Sequence, residues 1–114
     1  MKYSIQKIAS ILGIKNQYLL EGEITQLLTD SRKLNYPQET LFFAIETRQN
    51  DAHKFIADLY GSGVRNFVVT KILPEWKSFT DANFLKVGNT LHALQRVAAY
   101  LNHKMNELSE LKGW

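Results

Sequence analysis

The sequence predicts a three-layer α/β domain, in which a small, mainly parallel or mixed sheet is flanked by helices. Three observations predict it. Leu41-Phe42-Phe43-Ala44-Ile45 is a continuous apolar run, which fits a strand covered on both faces. Leu91, Leu94, Val97, Ala98, Leu101, Met105 and Leu108 recur at three- and four-residue spacing, the stripe of one long helix. Strand candidates and helix candidates alternate along the chain, the order from which layered α/β domains are built.

In chain order, Ser4 caps a helix to about Leu12, with Ile5, Ile8, Ile11 and Leu12 on one face and Gly13 as its stop. Tyr18–Leu20 reads as a short strand, Glu21-Gly22-Glu23 as a turn, and Ile24–Leu28 as the next strand. Pro37 keeps the connection 35–39 out of regular structure. The apolar run at 41–45 follows. Asp51 caps a helix starting near Ala52, with Phe55, Ile56 and Leu59 inward and Gly61 and Gly63 at its end. Strands are expected at Asn66–Thr70 and Phe84–Val87, and Asn89 or Thr90 caps the long helix.

Composition bounds the function. A chain of 114 residues suits one domain, and 45% apolar with 22% charged residues are ordinary globular values. The net charge of +3 is a mild basic excess, and the fourteen Lys and Arg form no cluster in any short window. Both facts argue against a nucleic-acid partner. The absence of cysteine removes disulfides, thiolate metal sites and cysteine nucleophiles, and is compatible with the cytosol. Lys7 interrupts any apolar signal core, and the longest apolar run is far short of the ~20 residues of a membrane span. The expectation is a soluble, cytoplasmic domain.

Two polar turns hold the candidate site. Thr29-Asp30-Ser31-Arg32 and Glu46-Thr47-Arg48-Gln49-Asn50-Asp51 each follow an expected strand, and ligands of open α/β sheets bind beyond the carboxyl ends of strands. Thr29 and Ser31 offer compact donor-acceptor groups for a nucleobase or ribose edge. Asp30 and Arg32 either touch the ligand or simply pair and close the turn. Arg48, Gln49 and Asn50 precede a helix whose first N–H groups and dipole favour an anion, and Arg48 adds a fork for a phosphate oxygen.

Other constellations read as structure. Ser4–Ile14 has the opening of a helix-turn-helix, but 15–23 shows no recognition helix. Ser31, Asp30 and His53 lack the elbow that exposes a nucleophile, and His53 is better placed to bond nearby backbone. His92 and His103 share a helix face roughly 16 Å apart at ~1.5 Å per residue, too far to hold one metal ion. No Gly-x-x-x-x-Gly-Lys-Ser/Thr phosphate loop occurs. No catalytic or metal-binding residue is expected.

Thr29-Asp30-Ser31-Arg32-Lys33-Leu34, Thr40-Leu41-Phe42-Phe43-Ala44-Ile45 and Asn50-Asp51-Ala52-His53-Lys54-Phe55, in this order and spacing, resemble the N-terminal domain of the Mur ligases, cytoplasmic ATP-dependent enzymes that build the peptidoglycan stem peptide. The resemblance implies a Rossmann-like domain at 1–110 that grips the uridine-diphosphate end of UDP-N-acetylmuramoyl-tripeptide. It implies substrate contacts from Thr29, Ser31, Arg48, Gln49 and Asn50, with Asp30, Arg32, Asp51 and His53 secondary or turn-structuring.

The resemblance further implies that 111–114 begins a linker to a central domain holding ATP and Mg, followed by a C-terminal domain, and that this segment alone is inactive. The opening helix and Asp51-Ala52-His53 look most like the member adding D-alanyl-D-alanine, which some bacteria fuse to an alanine racemase. The member adding the third stem residue is the close alternative, and a stand-alone protein- or nucleic-acid-interaction domain is the reading from another class. Thr47 and Ala52 stand where glycine is frequent in the family. A β-branched Thr47 resists positive φ, so the resemblance does not fix the path of the second loop.

Overall fold

The computed structural model describes residues 2–15 and 17–111, with side chains as far as Asn102. The main sheet is formed by β3 (Gln26–Leu28), β4 (Thr40–Phe43), β5 (Asn66–Val69) and β6 (Asn83–Lys86), parallel throughout and side by side in chain order. A separate antiparallel pair joins β1 (Tyr3–Ser4) to β2 (Glu23–Ile24). The helices are α1 (Ile5–Ile11), α2 (Ile56–Gly61) and α3 (Thr90–Leu111).

Alternation along the strands builds two cores. Leu41, Phe43, Val68 and Leu85 pack on one side with Ile5, Ile8 and Leu12 of the α1 segment and Val97 and Leu101 of α3. Phe42, Ala44, Phe67 and Val69 pack on the other side with Ile56, Leu59, Val64 and Trp76. Side chains one residue apart on a strand point to opposite faces, so β4 feeds both cores. This is the expected three-layer architecture. Among the described residues, no helix is long and apolar enough to cross a membrane.

The helix ends follow their sequence signals. Ser4 caps α1 by accepting the Lys7 N–H at 3.1 Å. Gly13, at φ +73, closes the helix while Gly13 and Ile14 donate N–H groups to Ser10 and Ala9. Gly63, at φ +110, does the same for α2 through Gly63 to Tyr60 and Val64 to Leu59. Both are the six-to-one, five-to-two closure that needs a left-handed residue after the cap. Asn89 Oδ1 accepts the His92 N–H at 2.9 Å and caps α3.

Several local expectations are corrected, among them the connection 35–39, expected to be irregular, which ends in a 3-10 turn at Pro37–Glu39 with Pro37 in its first turn. Tyr18–Leu20 is not a strand; the Asn83 side-chain amide clasps it, accepting the Leu20 N–H at 2.8 Å and donating to the Leu20 carbonyl at 2.9 Å. Glu23 lies in β2 rather than in a turn, and the expected strand 24–28 divides at Thr25, whose N–H turns to the Glu39 carbonyl. Residues Ala52–Phe55 form a 3-10 turn, with the α-helix beginning only at Ile56. Leu91 is 46% exposed, because it borders an open hollow with Glu46 and Thr70 at the sheet edge; the buried face of α3 is Thr90, Ala93, Val97 and Leu101. His92 is exposed as expected, whereas the side chains of His103, Met105 and Leu108 lie outside the described residues, as do residues 112–114 of the expected linker.

Asn83 also donates to Asn66 Oδ1 at 2.9 Å inside the protein. Asn83→Ala therefore strips the segment 18–20 of both anchors and leaves a buried acceptor unpaired, a loss of about 1–3 kcal/mol. Urea unfolding should show the lower midpoint, and amide exchange at Leu20 should accelerate.

Candidate functional site

Because the main sheet is parallel, its four carboxyl ends share one edge, and the polar segments after β3 and β4 emerge as neighbours. After β3, Asp30 Oδ1 accepts the Arg32 N–H at 3.0 Å and caps a 3-10 turn, Ser31–Lys33. The Arg32 guanidinium returns to the same carboxylate twice, Nε to Oδ1 at 3.0 Å and Nη2 to Oδ2 at 2.8 Å. These Arg32 side-chain bonds, then its N–H, hold the Asp30 carboxyl down at about 2. Asp30 and Arg32 thus close the turn on each other. The hydroxyls of Thr29 and Ser31 have no bond among the described residues.

The loop after β4 is a tight hairpin in which Glu46 and Asp51 form an antiparallel bridge. Thr47 closes it. Its N–H donates to the Asn50 carbonyl at 2.7 Å, and its Oγ1 accepts the N–H groups of Gln49 and Asn50 at 3.3 and 3.1 Å. Tyr36 is the only non-glycine residue with positive φ among those described, so this loop has a path that needs no glycine at position 47.

The anion-binding helix terminus expected here is corrected by the same geometry. Ala52 N–H donates to the Ile45 carbonyl, His53 N–H to Asp51 Oδ1, and Lys54 N–H to the Asp51 carbonyl. Each amide already has an acceptor, and the capping group is itself an anion. Any anion at this loop is left to side chains, of which Arg48 has no partner among the described residues.

A cleft of about 400 Å3 runs between the two loops. Thr29, Asp30, Ser31 and Arg32 line one wall, and Asn50, Ala52 and Phe55 line the other. Arg48 and Gln49 are not part of this lining; both are exposed on the hairpin. Sequence reasoning read Ala52 as the start of a helix and Phe55 as an inward-facing position, and missed their place in the cleft. The available signal was their position directly after the polar loop, three residues apart on one face.

Asp51 and His53 do a different job. His53, 2% exposed, accepts the Thr70 N–H on Nε2 at 3.1 Å. An accepting Nε2 is unprotonated, so the proton sits on Nδ1 and is donated to Asp51 Oδ1 at 2.7 Å. The imidazole lies parallel to Trp76, with ring centroids 6.1 Å apart. Lys71, which sequence reasoning did not single out, reaches Asp51 Oδ2 at 2.6 Å, and the Thr70 hydroxyl donates to Glu46. These contacts tie the hairpin to the end of β5.

Glu46, Asp51 and His53 bring ligand atoms within 4.8 Å of one another, but the tautomer opposes a metal there. A metal on Nδ1 would move the proton to Nε2, against the Thr70 N–H, while Lys71 already neutralises Asp51. Partial burial raises the Asp51 pKa, but the Lys71 ammonium and the N–H groups of His53 outweigh it and hold the carboxyl well below its usual range.

No family model matches the chain. Two curated proteins named UDP-N-acetylmuramoyl-L-alanyl-D-glutamate–2,6-diaminopimelate ligase are similar to it. The one from Clostridium tetani is 32% identical over 93 residues, 82% of this chain and 18% of its own length. The one from Cytophaga hutchinsonii is 32% identical over 77 residues, 68% of this chain and 15% of its own length. A solved structure of MurF from Acinetobacter baumannii superimposes with a TM-score of 0.73 at 24% identity, covering 91% of this chain and 22% of that one. A second MurF structure from the same organism gives 0.74. The chain is a homologue of the Mur ligase N-terminal domain. As a Mur ligase homologue it spans less than a quarter of the length of the proteins it matches.

The depressed Asp51 carboxyl contributes stability that is fully present above its unfolded value of 3.8 and lost as pH falls through the lower folded value. Asp51→Asn should cost about 1 kcal/mol at neutral pH, discounted because the side chain is 39% exposed. The difference from the parent chain should shrink below pH 4, measured by urea unfolding between pH 7 and pH 2.

Proposed function

We propose that this chain holds the uridine-diphosphate end of a UDP-N-acetylmuramoyl-peptide for an ATP-dependent amide ligase of peptidoglycan precursor synthesis. The cleft between the two loops carries the proposal. Its walls place the unpartnered hydroxyls of Thr29 and Ser31 opposite Asn50, with Phe55 as aromatic lining, a mixture suited to the polar edges and flat face of a nucleoside. Kinship points the same way, since the similar sequences are named as ligases of UDP-N-acetylmuramoyl substrates. Arg48 and Gln49, on the hairpin beside the cleft, are the groups proposed to meet the diphosphate.

In this reading the chain positions and does not catalyse. Fixing the remote nucleotide end of a long substrate restricts where its reacting carboxylate can lie. ATP, Mg and the incoming amine belong to central and C-terminal domains of the complete ligase, and the setting is the cytoplasm. The opening helix and the Asp51-Ala52-His53 triplet favour D-alanyl-D-alanine as the group added. The 32%-identical relatives favour the ligase adding the third stem residue, 2,6-diaminopimelate. Assay of the complete ligase with each amine separates the two.

Titration of the 114-residue chain with UDP-N-acetylmuramoyl-tripeptide, followed by amide NMR, should move Thr29–Arg32 and Asn50–Phe55. Ser31→Ala and Asn50→Ala should each weaken binding about 3–10-fold, the worth of one hydrogen bond, with unchanged melting temperature. Shifts confined to other surfaces would sink the proposal.

A further inference from the structure

The opposite half of the same sheet edge holds a larger cavity, of about 700 Å3, between the end of α1, the end of β6 and the first turns of α3. Lys15, Lys86, His92 and Arg96 line it, and among the described residues no Asp or Glu does. Lys15, Lys86 and Arg96 form no ion pair among the described residues. The chain has fourteen Lys and Arg against eleven Asp and Glu, so these three cations are equal in number to its whole positive excess. Brought to one hollow, they repel each other, and a multiply charged anion would relieve that repulsion.

The walls are built rather than loose. The turn closing α1 fixes Gly13 and Ile14 on one side of Lys15. On the other side, Gln17 Nε2 donates to the Phe84 carbonyl at 2.8 Å. Lys86 is the last residue of β6, paired with Val69. At Gly13 and Gly88 a Cβ would meet nothing within 4 Å, so the backbone there is open to a ligand.

We propose that this cavity is a second anion site, taking a compact oligophosphate of two or three linked phosphate groups. Its volume is that of a small-ligand site, and three cations around one hollow match several closely spaced charges better than a single one. Arg96 supplies a planar fork and the lysines supply point charges for phosphate oxygens. The site is separate from the proposed nucleotide cleft: β3 and β6 stand three strand spacings apart, about 14 Å. The hollow between them shares Gly88 and Asn89 with this cavity and is bordered by Glu46, whose carboxylate opposes an anion extending across.

The test is an amide NMR titration of the 114-residue chain with inorganic tripolyphosphate, against sulfate at matched ionic strength. Saturable shifts are expected at Gly13, Lys15, Gly88 and His92, together with a melting temperature that rises with ligand. Lys86→Gln with Arg96→Gln should weaken binding at least tenfold in a chain that still melts cooperatively. Lys15→Gln alone, in an exposed segment, should weaken it about threefold. Persistence of the response in Ser31→Ala keeps this site distinct from the UDP-peptide reading. Equal shifts with sulfate, an undiminished response in the variants, or tighter competition by an acidic peptide would each overturn the proposal.

Discussion

Strand β4 is buried at every position from Thr40 to Phe43, and that lack of any solvent face constrains the rest of the chain. Leu41 and Phe43 require one apolar layer, Phe42 and Ala44 another, and both layers must come from chain on either side of the strand. β4 is therefore interior to the sheet, with parallel partners on both edges. Parallel pairing in turn demands crossovers, because a strand must return to its starting side before running again in the same direction. All four carboxyl ends then fall on one edge. Segments distant in sequence, such as Thr29–Arg32 and Asn50–Phe55, become walls of one cleft as a consequence of where two phenylalanines must be buried.

Precise placement at that edge depends on polar groups that do not face ligand. A buried imidazole is tolerable only when both nitrogens are bonded, and His53 meets the condition by taking the Thr70 N–H and giving its proton to Asp51. Asp51 in turn serves the His53 ring, the His53 N–H and Lys71. The hairpin from Glu46 to Asp51 is thereby attached to β5 at its base and closed by Thr47 at its tip. The aromatic series His53, Trp76, Phe84 and Phe67, each ring parallel to the next, continues this attachment into the core. Groups bound within the protein and groups left open are thus sorted: Asp30, Arg32, Thr47, Asp51 and His53 shape the loops, while the side chains of Thr29, Ser31 and Arg48 have no partner among the described residues.

Much of the fold was legible because it rests on short-range rules. The run at 41–45 announced a strand with two covered faces, Ser4 and Asn89 announced helix starts, and Gly13 and Gly63 announced helix ends; each depends on a few adjacent residues. The failures have a common cause. Tyr18–Leu20 joins no sheet, and the backbone of Leu20 is held instead by the side chain of Asn83; no local pattern reports a partner so remote. Leu91 has the spacing of a core residue, yet its turn of α3 stands beside a hollow. Thr47 was read through the missing glycine, whereas its hydroxyl supplies the two acceptances that close the turn. In the cleft, the hydroxyl and amide residues were legible as polar positions after strands, and Phe55 was not, because a half-buried aromatic on a helical turn reads as core.

Charge shows the same limit most sharply. Lys15, Lys86 and Arg96 are isolated in sequence, and a search of short windows finds no basic cluster at all. They meet only because α1 and α3 cover the same face of the sheet and β6 ends beside them. Electrostatic potential depends on spatial separation and local dielectric, neither of which a window along the chain measures. A mild net charge of +3 is therefore compatible with two different surfaces. Spread evenly, it would bind nothing in particular. Gathered at one hollow, with no Asp or Glu among the described residues of its lining, positive charge is concentrated where a multiply charged anion would meet several cations at once. The edge set by β4 thus has two chemically unlike halves: one of hydroxyl and amide groups beside the Asp30–Arg32 pair, the other of Lys15, Lys86 and Arg96, which form no ion pair among the described residues, with Glu46 at the hollow between them.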